Sequence, residues 1–511
     1  MDFKKLSAAF FIIYLIAGLF AYKQYGVHWD DGAQRDYGNA NWNYILHKDK
    51  ALIGFGDRYH GPALEILLIG VEKAFGLSDT REILLAHHLA DFIFFYLSVI
   101  AFFFSAHILF GHEKWALMAS LMLVLSPRIF GNSFFNSKDI GFLCAMIFSF
   151  YTLLKLMAKP DFLRLLVHCA ATAFAIDIRI LAIIMVPVSL FILLKGLFEQ
   201  PALKKRYLLL LALFPILLSG FTILFWPILW EGPWHYFYTA LLEMKRFLRW
   251  PGEMLYFGHY ISATHLPWHY LPAWILLTTP LFFSVFWIFG AVITIKTLIT
   301  DPISFFKGNF LWGAVLYLSV APILAVILLK SVVYDSWRHV FFIYPFFVLV
   351  AVFGFKNLYE RLSAMPKTIL TGFTALYFLA MTIITIYLHP HQNSYFNLAA
   401  VMCYTPVEKQ FEMDYWGLGY RQGLEYILRS NPDKGAIKVR SLNEPGVWNK
   451  DILKKDERAR LEVNRESPDA DYFVTNHRLE KGYVPPGGKI VHDIKKFGSS
   501  IITVYSLKEN E

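Results

Sequence analysis

The chain has 511 residues, of which 56% are hydrophobic and only 17% are charged, and its formal net charge is +9. A chain this apolar and this poor in charge is not a water-soluble globular protein, so the composition places it among integral membrane proteins, with the lipid bilayer as a partner. The lysines and arginines are spread over short segments between apolar runs, where orientation signals lie. The positive charge therefore does not indicate a nucleic-acid partner.

Apolar runs long enough to cross about 30 Å of hydrocarbon as a helix recur along the chain. They predict an α-helical polytopic membrane protein with about eleven transmembrane helices. The first run follows Lys4 and Lys5, and we interpret it as a span because residues 21–23 lack the small-x-small pattern of a signal-peptide cleavage site. The predicted spans are 6–22, 83–107, 114–130, 139–157, 163–178, 180–196, 207–228, 272–295, 309–329, 339–355 and 367–388.

The distribution of basic residues predicts the orientation of these spans. The positive-inside rule makes one set of alternate loops, together with the N-terminus, cytoplasmic. The basic residues of that side are Lys4, Lys5, Lys114, Lys159, Arg164, Lys204, Lys205, Arg206, Lys296, Lys307, Lys356, Arg361 and Lys367. Loops 23–82 and 229–271 then face the periplasm, across a bacterial-type inner membrane. This assignment requires a tight turn at 177–179, because a single span over 163–196 would move every later loop to the opposite side.

The composition changes to that of a soluble domain after the last predicted span. Short segments with strand character lie at 436–441, 471–475 and 500–506, and helical and strand signals are mixed, as in a small α/β domain. We therefore predict a transmembrane bundle over residues 1–388 and a periplasmic α/β domain over residues 389–511.

Two adjacent carboxylates, Asp30 and Asp31, follow the first predicted span. Carboxylates beside hydrocarbon are costly unless water, a cation or a reaction uses them. Asp30 is a candidate general base for an acceptor hydroxyl, and Asp31 is a candidate to set position and charge. The alternative is that both simply begin a solvated loop.

The second outer turn is unusually polar for its length. It carries Arg128 and Lys138, which suit a phosphate group, and Asp139 at the head of the next span, which could hold an acceptor or a metal ion. Cations at helix ends also extend to the interface without any ligand, and this alternative stays open for Lys138.

Two further outer turns carry residues of the same kinds. One contains Asp177 and Arg179, which either pair with each other or leave Arg179 to bind an anion; the other contains Arg338 and His339. Positive groups on several outer turns and acidic groups on the first predict a site that holds an anionic head group beside a base.

The loop 229–271 is rich in tryptophan, tyrosine, histidine and proline. Such aromatic residues suit a membrane interface, and they would also stack on a sugar ring or cover an isoprenoid chain. His60, His265 and His269 are candidate ligands of a divalent metal ion, although their spacing matches no compact ligand motif.

These features together resemble the GT-C superfamily of membrane glycosyltransferases, which includes protein O-mannosyltransferases and the aminoarabinose transferase that acts on lipid A. The resemblance lies in the acidic pair after the first span, the polar second turn, the later arginine-bearing turns and the outer C-terminal domain. The segments that resemble a bacterial family-39-like branch are 127–139, 336–339, 389–397 and 411–420.

The resemblance implies an inverting transfer of a sugar from a polyprenyl-phosphate donor to a hydroxyl of a periplasmic glycan, lipid or protein, as in the assembly of lipopolysaccharide and the cell envelope. It implies that Asp30 is the general base, but relatives have Asp-Glu where this chain has Asp-Asp, so the choice between Asp30 and Asp31 stays open. Asp139 matches a second outer-loop acid, and Arg179 and Arg338 match phosphate contacts by topology. Metal dependence varies in the superfamily and also stays open.

Two other functions fit an apolar chain with outer charges. One is a transporter or flippase of lipid-linked sugars, which would place ionisable groups near the midplane and show repeated halves, and this sequence does neither. The other is an O-antigen polymerase or ligase, which relies on an arginine-rich large outer loop, whereas 229–271 is more aromatic than basic.

Overall fold

The computed structural model describes most of the chain. The predicted loop 229–271 and the predicted domain 389–511 each include a few positions outside it. The described ranges are 2–245, 252–404, 406–433, 435–478 and 483–508.

The first half of the chain is helical. Its helices are α1 (Phe3–Ala21), α2 (Asp31–His47), α3 (Ala51–Gly54), α4 (Ala63–Ala74), α5 (Thr80–Phe110), α6 (Glu113–Val124), α7 (Pro127–Asn132), α8 (Ser137–Ala158), α9 (Phe162–Ile178), α10 (Met185–Glu199) and α11 (Lys204–Phe225). The elements that follow are α12 (Pro233–Lys245), the hairpin strands β1 (Glu253–Tyr256) and β2 (His259–Ser262), α13 (Tyr270–Thr278), α14 (Leu281–Thr300), α15 (Pro302–Ser304), α16 (Phe310–Leu329), α17 (Tyr344–Arg361) and α18 (Ala364–Leu388).

Nine helical stretches among the described residues are long and apolar enough to cross a membrane. They contain α1, α5, α8, α10, α11, α14, α16, α17 and α18, several of them lengthened by an adjoining helical turn. The predicted α-helical polytopic membrane fold is thereby confirmed. In α8 and α17, 72% and 83% of the residues in the most apolar stretch are buried, against 11% in α18, so α8 and α17 lie inside the bundle.

The other two predicted spans are shorter than these nine stretches. The predicted span 114–130 is divided between α6 and the six-residue α7, which begins with Pro127, and the predicted span 163–178 is the 17-residue α9. The expected break at 177–179 is present, because α9 ends at Ile178 and the backbone of Arg179 is extended.

The predicted span at 272–295 begins before the helix that the structure shows. The run 272–295 was expected to be one helix, but α13 ends at Thr278 and α14 begins at Leu281. Pro280 has no N–H to donate and forces the preceding residue out of the helical region, and Thr279 is accordingly extended. Hydropathy alone does not register this break.

The C-terminal part of the chain forms a small mixed domain. Its elements are α19 (Leu398–Tyr404), α20 (Tyr420–Ser430), β3 (Ile437–Ser441), α21 (Glu444–Trp448), α22 (Lys455–Ala459), β4 (Leu461–Asn464), β5 (Tyr472–Thr475), β6 (Lys489–Lys496) and β7 (Ser499–Ser506). The five strands form one sheet in the order β4-β3-β5-β7-β6, with β3 parallel to its two neighbours and β7 antiparallel to its own. The three predicted strands are β3, β5 and β7, and α20 packs on the sheet beside Val474 and Ile502.

This domain is attached to the loop after α1. The side chain of Asn449 accepts a hydrogen bond from the backbone N–H of Val27 at 2.9 Å and donates one to the carbonyl of Val27 at 2.8 Å. A Cβ atom on Gly26 would lie 2.3 Å from the carbonyl oxygen of Leu418, so only glycine allows this close approach. The chain is therefore held firmly just before Asp30 and Asp31.

Candidate functional site

Asp30 and Asp31 lie at the N-terminus of α2, but their environments differ. Asp30 is the N-cap residue of α2, its side chain makes no capping hydrogen bond, and 40% of that side chain is exposed. Asp31 is bound on both carboxylate oxygens by His28, through the backbone N–H at 2.8 Å and the imidazole Nε2 at 3.1 Å. The two residues look equivalent in the sequence, but the carboxylate of Asp30 is accessible and that of Asp31 is bound to His28.

The His28–Asp31 pair is electrostatically coupled. Burial alone would raise the pKa of Asp31, but the adjacent His28 lowers it below the ordinary value. Burial alone would lower the pKa of His28, and Asp31 raises it above the ordinary value. Asp31 therefore stays ionised and is a poor acceptor of a further proton.

Asp139 lies at the start of the interior helix α8 and is completely buried at its carboxylate. It is paired with Arg179, at the end of α9, and with Nη1 of Arg338 at 3.1 Å. Asn136 adds a side-chain hydrogen bond to Asp139 at 3.1 Å. A buried carboxylate needs such partners, and here Asp139 fixes two arginines that lie on different turns of the chain.

Arg338 is the centre of the cluster. It begins the helical turn that leads into the interior helix α17, and only 5% of its side chain is exposed. Besides Asp139, its Nη1 lies 3.7 Å from Oδ2 of Asp30, and its Nη2 lies 3.6 Å from Oδ2 of Asp335. The rings of Tyr334 and Trp416 lie 4.8 and 4.6 Å from its guanidinium carbon. These contacts leave Arg338 little freedom to rotate.

The C-terminal domain contributes a third arginine, which the sequence did not indicate. Arg478 follows β5, is buried, and donates from Nη2 to Oδ1 of Asp335 at 2.7 Å. Its Nε lies 3.8 Å from Oε2 of Glu412, and its guanidinium lies 5.2 Å from the ring of Trp29. Burial raises the pKa of Asp335 above its ordinary range, although Arg478 and Arg338 lower it.

The structure brings together five of the predicted site residues and separates others from them. Those that meet are Asp30, Asp139, Arg179, Arg338 and His339, whose ring packs edge-on to Tyr334 at 4.6 Å. Asp31 lies beside them but is bound to His28.

The two cations predicted on the second outer turn have other partners. Arg128 is 1% exposed; it donates to the carbonyl of Tyr395 at 2.9 Å and to the hydroxyl of Ser336 at 3.3 Å. Lys138 is paired with the buried Glu65 at 3.2 Å. Both side chains are oriented by packing inside the protein, which nothing in their sequence spacing reveals.

The alternative in which Asp177 pairs with Arg179 is wrong. Arg179 turns to Asp139, while the Asp177 carboxylate accepts a hydrogen bond from the backbone N–H of Ala63 at 2.7 Å. The extended backbone at Arg179 directs the two side chains of this short segment to different neighbours.

The predicted histidine ligands do not form a metal cluster. His269 interacts with the hydroxyl of Tyr256 at 2.7 Å, His265 interacts with Thr264 at 2.9 Å, and His60 lies on a different loop. Across the described ranges, no three His, Cys, Asp or Glu side chains are grouped so that they could hold a metal ion.

A cavity of about 340 Å³ lies between the segment after β2 and the C-terminal end of α16. Its walls are mostly apolar and include Leu266, Leu271 and Ile327, with Lys330 among the lining residues. It also reaches Val333, two residues before Asp335. This size is within the range of small-molecule sites, about 300–1,000 Å³.

Residues 79–226 match the model of a protein family described as dolichyl-phosphate-mannose-protein mannosyltransferase. This segment runs from α5 to the end of α11 and contains Asp139 and Arg179, whereas Asp30 and Arg338 lie outside it. The match confirms the resemblance to the GT-C glycosyltransferases and the prediction of an enzyme of that class.

Several solved structures are similar to the chain at low identity. ArnT from Cupriavidus metallidurans in the apo state has 13% identity and a TM-score of 0.48, with 98% of this chain and 97% of that chain covered. The same protein bound to undecaprenyl phosphate has 12% identity and a TM-score of 0.47, with the same coverage. Archaeal oligosaccharyltransferase AglB from Archaeoglobus fulgidus, in complex with an inhibitory peptide and a dolichol-phosphate, has 12% identity and a TM-score of 0.47, with 93% of this chain and 70% of that chain covered. A search of curated proteins found no match.

Proposed function

We propose that this protein transfers a sugar from a polyprenyl-phosphate-linked donor to a hydroxyl group of a periplasmic acceptor, with inversion, and that Asp30 is the general base. The observation that carries the proposal is an accessible carboxylate beside a buried arginine. Asp30 is 40% exposed, and Arg338 lies 3.7 Å from it. The acceptor is a hydroxyl of a glycan, a lipid or a protein.

The choice of Asp30 over Asp31 rests on their partners. Both oxygens of Asp31 are occupied by His28, so a proton from a substrate would have to displace a buried ion pair. The side chain of Asp30 is 40% exposed and caps no backbone N–H, so it can come within hydrogen-bonding distance of an acceptor hydroxyl.

Arg338 and Arg179 are the proposed contacts of the donor phosphate. A guanidinium can bind two phosphate oxygens while its other N–H groups remain on a carboxylate, and Asp139 holds both arginines from the buried side. A phosphate on Arg338 competes with Asp30 for the same cation. Donor binding therefore frees Asp30 to act as a base.

The reaction then needs no nucleotide and no acid for the leaving group. The acceptor oxygen attacks the anomeric carbon, the bond between that carbon and the phosphate oxygen breaks, and polyprenyl phosphate leaves with the electron pair. The hydroxyl proton passes to Asp30. Arg338 and Arg179, whose side chains are only 5% and 23% exposed, meet the charge that develops on the phosphate.

The cavity beside α16 is the proposed place for the first isoprene units of the donor. Its apolar walls suit a hydrocarbon chain, and the exposed Leu324 and Leu328 on α16 continue the apolar surface toward the bilayer. Lys330 adds a cation at the end of the helix, where a lipid phosphate passes on its way to Arg338.

The proposed location is a bacterial-type inner membrane, with the N-terminus in the cytoplasm. The site and the C-terminal domain then face the periplasm, because loop 23–82 carries Asp30 and the positive-inside rule places that loop outside. A donor linked to a lipid carrier is consistent with a compartment that lacks nucleotide sugars.

The proposal is tested with membranes that contain the wild type, Asp30→Asn or Asp31→Asn, and with a panel of radiolabelled undecaprenyl-phosphate sugars. We expect one donor to label a membrane glycan, lipid or protein with the wild type, and Asp30→Asn to reduce the rate by about 10²–10⁴-fold. Asp31→Asn keeps an oxygen for His28 and is expected to retain more activity. No transfer from any donor would refute the transferase and favour transport or polymerisation.

A further inference from the structure

Arg478 is part of the C-terminal domain, yet its side chain lies inside the cluster around Arg338. It follows β5, the central strand of the domain's sheet, and 5% of its side chain is exposed. A buried arginine needs partners for its five N–H donors. The side chain of Arg478 contacts Asp335 and Trp29 of the bundle, and it contacts Glu412 and the carbonyl of Tyr415 on the segment between the bundle and the sheet.

Arg478 is connected to Arg338 through a series of ion pairs. Its Nη2 donates to Oδ1 of Asp335 at 2.7 Å, and the other oxygen of Asp335 lies 3.6 Å from Nη2 of Arg338. Arg338 in turn contacts Asp139 and Asp30. Asp335 is thus held between two arginines, one from the bundle and one from the C-terminal domain.

A second set of contacts fixes the position of Arg478 itself. Its Nη1 donates to the backbone carbonyl of Tyr415, and its Nε lies 3.8 Å from Glu412. The next residue after Tyr415 is Trp416, whose ring lies 4.6 Å from the guanidinium carbon of Arg338. Arg478 therefore supports Arg338 from two directions, through Asp335 and through the segment that carries Trp416.

The backbone around Asp335 requires such support. Asp335 and Ser336 both have positive φ values, 55° and 67°, a conformation that costs energy for residues other than glycine. Removing the anchor of Asp335 would let this segment relax and would move Arg338, which lies three residues after Asp335.

We infer that Arg478 is a positioning residue for the proposed transfer reaction: it holds Asp335, and through Asp335 it holds Arg338 against Asp30 and Asp139. This inference rests on the proposed function and assigns the C-terminal domain a part in the active site. Arg478 does not touch the reacting atoms. It fixes where the arginine proposed to bind phosphate lies.

The matched control is Arg458, another arginine of the C-terminal domain. Arg458 pairs with Asp79 at the start of α5, so it also joins the domain to the bundle, but it contacts none of the carboxylates around Arg338. Arg458→Met therefore removes a contact between the two parts of the chain without changing the site.

The experiment measures transfer by the full-length protein in nanodiscs as a function of pH, for the wild type, Arg478→Lys, Arg478→Met and Arg458→Met. We expect Arg478→Met to lower kcat at least tenfold and to shift the acidic limb of the kcat/KM profile to higher pH, because a cation that interacts electrostatically with Asp30 is lost. Arg478→Lys keeps the positive charge, but a lysine cannot contact Asp335 and the carbonyl of Tyr415 together as the guanidinium does. We therefore expect kcat to fall while the acidic limb of the pH profile stays at the same pH. Activity of Arg478→Met within twofold of Arg458→Met, with an unshifted limb, would overturn the inference.

A thermal-unfolding cycle separates this inference from the proposed function. The melting temperatures of the wild type, Arg478→Met, Asp335→Asn and the double variant measure the coupling of the two side chains without any substrate. We expect the double variant to lose clearly less than the sum of the single losses. Additive losses would overturn the inference even if transfer is observed, whereas an inactive wild type with strong coupling would refute the transferase alone.

Discussion

Nη1 of Arg338 lies 3.7 Å from Oδ2 of Asp30, close enough to attract the carboxylate and too far for a hydrogen bond. The same nitrogen is 3.1 Å from Asp139, which is completely buried and so has the stronger hold on it. Asp30 is thus near a cation without being bound to it. This is the arrangement expected of a base that a substrate can release.

Replacement of Arg338 by lysine tests the need for a guanidinium. A single ammonium cannot meet Asp139 and Asp335 and still bind a phosphate in two places, so we expect transfer to fall by about 10²-fold or more, with a higher KM for the donor. The control is Arg164→Lys, which affects only the local pair with Asp161 at the start of α9. Kinetics with a short-chain polyprenyl-phosphate donor provide the measurement. Equal losses for the two variants would contradict the role of Arg338.

Asp139→Asn is expected to destabilise the protein. It leaves Arg179 and Arg338 without their shared buried carboxylate, and breaking a buried ion pair costs about 3–5 kcal/mol. The control is Glu360→Gln, which removes an exposed ion pair with Lys356 and should cost less than about 1 kcal/mol. Thermal unfolding in detergent compares the two. If Asp139→Asn lowers the melting temperature no more than Glu360→Gln does, the ion pairs of Asp139 contribute little to stability.

Lys330→Met tests the cavity beside α16. If the donor passes this residue, loss of the ammonium raises the KM for the lipid-linked donor several-fold and changes kcat little, because Lys330 lies outside the reacting cluster. Lys48→Met is the matched control, since Lys48 and Lys330 each follow the last residue of a helix directly and each have a left-handed backbone conformation. An unchanged KM in Lys330→Met would exclude the cavity as a donor path.

The buried Glu412 makes stability depend on pH. Burial raises its pKa to about 7, from an ordinary value of 4.5, although Arg478 lowers it. Because the folded-state pKa is the higher one, the contribution of Glu412 to stability is complete below about pH 4.5 and is lost as pH rises through 7, by at most about 1.4 kcal/mol per pH unit.

The measurement is the melting temperature of the wild type and of Glu412→Gln between pH 5 and pH 8. The wild type should lose stability with rising pH relative to the variant, since the glutamine cannot ionise. Parallel curves for the two proteins would mean that Glu412 has an ordinary pKa in the folded state.

The predicted site residues show which members of the charged cluster can be predicted from the sequence and which cannot. Asp30, Asp139, Arg179 and Arg338 were found because each charge stands at the end of an apolar run, where its presence is conspicuous. Arg128 satisfied the same rule, but its partners are the backbone carbonyl of Tyr395, 267 residues away, and the hydroxyl of Ser336. A charge at a span end is therefore a good marker of the polar rim and a poor guide to which members of that rim contact one another.

Arg478 could not have been found in this way. It lies in an ordinary soluble segment with many other charges, 143 residues from Asp335, and no local pattern distinguishes it from Arg465 or Arg458. The distinguishing feature is burial at an interface between two parts of the chain. Burial of that kind is produced by packing and has no periodicity along the sequence.

Hydropathy, the placement of charges and strand alternation are local properties of the chain, and they were enough to predict a helical membrane bundle, a small C-terminal sheet and a polar rim at one end of the spans. Three features depend instead on which helices lie next to one another. They are the break at Pro280, the different environments of Asp30 and Asp31, and the contact between Asp139 and Arg338, which are 199 residues apart. Those neighbours are selected by the packing free energy of the whole bundle. A carboxylate is accessible or buried only in relation to the groups that the tertiary fold places beside it.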